Sequence, residues 1–453
     1  MITQRRCFAI ISVLLAVSFM LTACGAPSTP AAPPPNTAVP PPATSIPPAA
    51  TAAPTAAPTA APTKAAPPVT ITVMTNRIGA QAQLLQDIAN KFMVDNPDVK
   101  VDFSAPGPDY EKLMKIKMAA NDMPDVFSTH GWAKVRYGAF LLDLRDQPWA
   151  SQIDSAIKPA VVDDAGKVYV LPLDQEKSGP IFNADVLTQY GVEVPLTWTD
   201  FLAACDTIKT KSSGKVSCIT MAGADSWPVG QYYDYLSTSL AISPAANDAQ
   251  SLLDGTYDWS KYADLSQNLL ELQQKGYLNK DVLTSKYSDS AAALAQGKAA
   301  FGFYPPLVCE ESLKTAQFNC GLMPIPTLVA GDKPTFAGGE LTTWGVWKDS
   351  KQKDAAIRFV NYFARPENIK AVAESNKSPA GLQGVQVDAG YLTQYFTKYA
   401  DLRSFPYFDR VYLPNGMWDV LCKNGQDVLA GGITPKQAND NIAKEYARLR
   451  AAQ

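Results

Sequence analysis

The chain has 453 residues, a formal net charge of −3 and no run of Lys or Arg. Nucleic acid is therefore not an expected partner, because neutralising phosphates needs clustered positive charge. A single histidine, His130, and the lack of any Cys-x-x-Cys motif leave a histidine-based zinc centre or a serine triad almost nothing to work with, so neither metal nor cofactor is expected.

Arg5 and Arg6 precede an apolar run from Phe8 to Leu21, and small residues surround Cys24. The run is too short for a membrane span, which needs about 20 residues, and has the form of a secretory signal. Its end, Leu21 to Cys24, resembles the lipobox of bacterial lipoproteins. That resemblance implies removal of residues 1–23 and lipidation of Cys24, which becomes the first residue. From Ala26 to Pro68 the chain is almost entirely Ala, Pro and Thr, with near-repeats such as Thr51–Pro54 and Thr55–Pro58. Such a segment has nothing with which to build a core and favours polyproline II, reaching on the order of 130 Å at about 3.1 Å per residue. Residues 24–68 thus read as a stalk carrying a globular domain outside the cell. Its only contact with the membrane is the lipid, where each buried CH₂ adds about 0.8 kcal/mol.

The remainder, Val69 to Gln453, is too long for one ordinary core, and two lobes are expected. Aromatic residues make up 10% of the chain, including eight Trp and nineteen Tyr, an excess of flat faces that needs a use. Cys205/Cys218 and Cys309/Cys320 are close enough to bridge short loops in an oxidising compartment, the alternative being separate buried thiols. Cys422 is left over and reads as buried and unreactive.

In chain order, the alternation over Thr70–Met74 predicts a strand. Leu84, Ile88 and Phe92, with Pro97 as a stop, predict a helix over 81–96, and Val99–Phe103 predicts a second strand. This β-α-β unit implies a parallel sheet with ligands at the carboxyl ends of its strands, where Arg77 falls. A helix over 109–120 leads into a buried strand over 124–128, ending at Thr129–Trp132. Trp132 beside Gly131 is a candidate ligand-facing ring, whereas His130 reads as a structural histidine. Thr197–Asp200 opens a helix with a threonine cap, and Trp198 reads as packing. A strand is expected over Cys218–Met221. Ala356, Phe359, Val360 and Phe363 form an amphipathic helix face that Pro366 ends. Thr434–Pro435 starts a last helix whose buried stripe is Ala438, Ile442 and Leu449.

The segment from Asp109 to Trp132 resembles the first lobe of the family 1 extracellular solute-binding proteins, the maltose-binding-protein-like receptors of ABC importers. Tyr169–Asp174, Ile181–Asp185, Val192–Phe201, Ala295–Gly302, Ser378–Ala380 and Val428–Leu449 resemble that family's later motifs, in its order. The resemblance spans essentially all of Val69–Gln453. It implies an α/β, two-lobed, periplasmic-binding-protein-like fold of type II with discontinuous lobes, 69–175 with 338–378 and 176–337 with 379–453. Crossings are expected near Asp174, Gly338 and Pro379. It also implies a receptor, not an enzyme, that closes on a sugar or oligosaccharide and passes it to the transmembrane subunits of an ABC permease, acting as a monomer.

A sugar site needs aromatic platforms and polar groups that satisfy buried hydroxyls. By the resemblance Trp227, Tyr304 and Trp418 are the platforms, Tyr304 standing where the family often has Trp. Arg77, Asp109, Asp174, Asp225 and Glu340 are the polar candidates. A surface glycosidase using two carboxylates, or a binding lipoprotein serving sensing or adhesion, are the other readings.

Overall fold

A computed structural model describes residues 67–452. The signal, Cys24 and most of the stalk lie outside the described residues. Twelve strands, β1 (Val69–Met74), β2 (Val99–Ser104), β3 (Val126–Phe127), β4 (Leu171–Pro172), β5 (Gln175–Ser178), β6 (Ile181–Asn183), β7 (Ser217–Thr220), β8 (Ala299–Gly302), β9 (Cys320–Leu322), β10 (Phe336–Glu340), β11 (Thr343–Val346) and β12 (Ser404–Pro406), form three sheets.

The first lobe is built on the sheet β2-β1-β3-β11-β4, in which β1 pairs parallel with β2 and β3, and β11 runs antiparallel to its neighbours. The expected β-α-β unit opens it, with a helix over Gly79–Asp95 that buries Leu85, Ile88, Ala89 and Phe92. Their spacing of three, four and seven residues is that of one helix face. Phe92 meets Phe359 and Tyr362 edge-on, both with ring centroids 5.4 Å apart, so the helix Lys353–Phe363 closes the same core from a distant part of the chain. Each such fully buried side chain contributes about 1.5–3 kcal/mol.

The second lobe carries the mixed sheet β7-β8-β6-β9. Its core gathers Phe201, Ile219, Tyr232, Tyr233, Leu236 and Phe301. Thr197 caps the helix Trp198–Lys211 by accepting a hydrogen bond from the Asp200 amide at 3.1 Å, and Trp198 stacks on Phe201 at 5.4 Å as packing. The last helix, Pro435–Arg450, starts at a Thr434 capping box. Its buried stripe is Ala438, Asn439, Ile442 and Tyr446, with Tyr446 where Leu449 was expected. Leu449 is only partly buried, one turn nearer the end of the helix.

Between the lobes runs a third sheet, β12-β10-β5, with β10 antiparallel to β5. Gly338 lies in β10 opposite Lys177, so close to β5 that a Cβ would run into the Glu176 carbonyl oxygen. Only glycine allows the two strands to approach this far. β10 begins with Phe336 and Ala337 in the cores of the second lobe and ends at Glu340, whose side chain reaches first-lobe residues.

Both expected bridges are present, Cys205–Cys218 tying a helix to β7 and Cys309–Cys320 tying another to β9, while Cys422 is free and buried. Burial pushes the Cys422 thiol up to about 12, which leaves it protonated and inert. Replacing Cys205 and Cys218 together by Ala is expected to lower the unfolding free energy by about 2–4 kcal/mol, measured by urea denaturation, with no change in the circular dichroism of the folded state.

Candidate ligand-binding site

A pocket of about 370 Å³ opens between the lobes, within the roughly 300–1,000 Å³ range of small-molecule sites. The first lobe contributes Arg77 and Gln81, just past β1, and His130 and Trp132, just past β3. These are carboxyl ends of parallel strands, as the β-α-β pattern requires. The crossing segments add Glu176, Lys177, Leu341 and Asn376–Ser378; the second lobe adds Trp227, Gln231, Pro305–Leu307, Phe396, Tyr407, Arg410 and Trp418.

Of the residues expected at the site, Arg77, Trp132, Trp227 and Trp418 are brought together on the pocket wall. Arg77 is buried, donates to the Leu341 carbonyl and keeps an Nε with no partner. Trp227 and Trp418 each sit in the first turn of a helix, Trp227–Ala241 and Met417–Leu429. Trp132 carries two guanidinium groups near its ring, Arg136 at 3.9 Å and Arg410 at 4.7 Å from the centroid. His130 also lines the pocket, with its Nδ1 2.8 Å from Glu111.

The other expected residues lie elsewhere. Asp109 is exposed on a single turn before the helix Tyr110–Ala120, away from the pocket wall. Tyr304 is fully buried behind the wall, donating to Ser290 at 2.7 Å and meeting Trp227 edge-on at 5.7 Å. Pro305 and Pro306, in the segment that follows β8, take the wall position. Asp225 accepts a hydrogen bond from the Tyr287 amide at 2.6 Å, which secures the turn before Trp227.

Asp174 is spent on the crossing. It accepts from the Thr342 amide at 2.7 Å, the Asn376 amide group at 2.6 Å and the Ser378 hydroxyl at 2.7 Å. Three donors on one buried carboxylate hold Asn376 and Ser378 at the pocket wall. Glu340 likewise faces inward, accepting from the Ala133 amide at 3.2 Å and the Thr129 hydroxyl at 3.4 Å. It thereby ties the crossing strand to the loop bearing His130 and Trp132.

Gln231, Glu176, Asn376, Tyr407 and Arg410 complete the polar wall and were not expected there. Gln231 was within reach of sequence reasoning, since it stands one turn after Trp227 on the same helix face. Arg410 carried no such signal. It lies in the single turn Phe408–Val411 and reaches the pocket past Gly131, where a Cβ would collide with its guanidinium and φ is +90°.

Two α/β lobes joined by crossing strands around a pocket of rings and polar side chains define a solute-binding protein of the hinged, two-lobed kind. The chain belongs to the bacterial extracellular solute-binding proteins, whose family model matches residues 78–370. These are extracytoplasmic binding proteins and not enzymes. The chain is 39% identical over 387 residues to the melibiose/raffinose/stachyose-binding protein MelE of Bacillus subtilis, a match covering 84% of this chain and 90% of that protein. Among solved structures, a sugar transporter protein of Bacillus licheniformis in complex with stachyose is 40% identical, with a TM-score of 0.73 over 84% of this chain and all of that one. The binding protein MsmE of Bacillus subtilis, in an open conformation, is 38% identical with a TM-score of 0.79, covering 85% and 98% of the two chains.

Burial pushes the Glu340 carboxyl up to about 7. A raised carboxyl favours the folded state at low pH and loses that contribution as pH rises through its folded value. The melting temperature of the parent is therefore expected to fall relative to Glu340→Gln between about pH 5 and 8, read by differential scanning calorimetry; parallel profiles would contradict it.

Proposed function

We propose that this protein is the membrane-anchored receptor of an ABC importer, binding an α-galactoside of the melibiose, raffinose and stachyose class and presenting it to the permease. One observation carries the reading. A single interlobe pocket is lined by the polar side chains of Arg77, Gln231, Asn376 and Arg410 among the rings of Trp227, Trp418, Phe396 and Tyr407. A hydroxyl buried without a partner costs about 1–3 kcal/mol. Four hydrogen-bonding side chains around one pocket fit a solute dense in hydroxyls, and the rings fit the apolar faces of sugar rings. The charges at and behind the wall nearly balance, with Glu176, Asp174 and Asp409 against Arg77, Lys177, Lys377 and Arg410, which fits a solute without strong charge of its own. The kinship with MelE supports the choice of sugar. Closure of the lobes about the crossing sheet would bury the solute on both sides.

Lipidation of Cys24 supplies the anchor and the Ala/Pro/Thr stalk the reach. Cys24→Ala is expected to release the protein from the membrane fraction into the soluble fraction, followed by immunoblot of fractionated cells.

Calorimetric titration with melibiose, raffinose, stachyose and maltose tests the solute. Binding of the first three in preference to maltose is expected. Trp227→Ala and Trp418→Ala should each weaken it by about 2 kcal/mol, roughly thirty-fold. If no saccharide binds or raises the melting temperature while another solute class does, the reading fails.

A further inference from the structure

We propose that Asp234 and Asp409 are positioning residues of this site: Asp234 keeps a proton and hydrogen-bonds to the Asp409 carboxylate, and the pair holds the Arg410 guanidinium in the pocket, against the first lobe. The inference rests on the solute-binding reading of the pocket. Both carboxyl groups are buried, at 0% and 4% exposure, and neither lines the pocket. Asp234 lies in the helix Trp227–Ala241, three residues after Gln231, and its Oδ1 accepts the Asp409 backbone amide at 2.9 Å. Asp234 Oδ2 and Asp409 Oδ1 are each buried with no hydrogen-bond donor, which a proton on one of the two carboxyl groups would answer. Asp409 Oδ1 is 3.9 Å from Arg410 Nε.

Charge counting places the proton. Two carboxylates in contact and out of water repel, and one guanidinium compensates one of them. Asp409 is the one that keeps its charge, because it faces Arg410, Arg136 and the Trp132 indole. Asp234 lies deeper, where burial and the neighbouring Asp409 outweigh the more distant Arg410, and the nearby Tyr235 and Tyr262 hydroxyls stay neutral. Glu176 and Glu340, from the crossing strands, also act on Arg410 through their charge, and the Cys422 thiol near Asp409 is neutral. The result is a fixed guanidinium 4.3 Å from the Tyr407 ring in its own lobe and 4.7 Å from Trp132 in the other. Arg410 is thus a pocket residue built to sense both lobes at once.

The test compares Asp234→Asn, which imitates the protonated carboxyl, with Asp409→Asn and Arg410→Lys in the whole protein. With stachyose at pH 7, Asp409→Asn and Arg410→Lys are expected to bind at least ten-fold more weakly than the parent, and Asp234→Asn at least ten-fold more tightly than Asp409→Asn. Without sugar, the melting temperature of the parent should fall relative to Asp234→Asn as pH rises from 4 to 9, since a carboxyl raised in the folded state loses its contribution on ionising. Equal losses in the two Asn variants, a full-affinity Arg410→Lys, or parallel melting profiles overturn the proposal. Should Asp409→Asn fail to fold, Arg410→Lys and the melting profiles still decide. A parent that binds no saccharide defeats the solute reading, while the sugar-free melting profiles continue to report on the proton.

Discussion

The structure turns on the antiparallel pairing of β5 with β10, pressed together at Gly338. A side chain there would separate the strands, and with them the buried Asp174 cluster that joins the segments around Thr342, Asn376 and Ser378. Few strands link the lobes, so few backbone angles need change for one lobe to swing toward the other. The same narrowness leaves the facing walls free to be polar, because neither has to serve as a core.

The pocket inherits its character from that arrangement. Its rings lie at helix starts and strand ends, where a side chain is held by a rigid element yet projects beyond it. Behind them stands a layer of residues that touch no pocket space: Tyr304 and Tyr287 against Trp227, Glu340 under the loop of Trp132, Asp409 under Arg410. Buried polar groups of this kind are costly when unpaired and rigid when paired. They fix where the wall groups stand, and so which hydroxyl pattern the pocket can meet.

Much of the fold was legible in the chain. The β-α-β opening, the capped helices at Thr197 and Thr434 and the two short cysteine bridges follow from local periodicity, capping chemistry and loop length, all confined to neighbouring residues. Arg77 and Trp132 could be placed because each marks the end of a strand, and Trp227 and Trp418 because the chain resembles the family at their positions. The carboxylates could not. Asp174, Asp225 and Glu340 differ from a solute-binding acid only in which distant amide or hydroxyl reaches them first, and Asp109 differs only in the direction its turn points.

By itself the sequence determined that the folded part is two α/β lobes rich in flat rings, in a chain nearly neutral overall, since composition and short-range pattern decide these. Tertiary structure alone decided that Tyr304 is a prop and Arg410 a wall residue, and that Asp234 meets Asp409 across 175 positions of chain. The reason is that side-chain periodicity records which face of an element is buried, whereas the partner on the other side of that face is chosen by how separate elements pack.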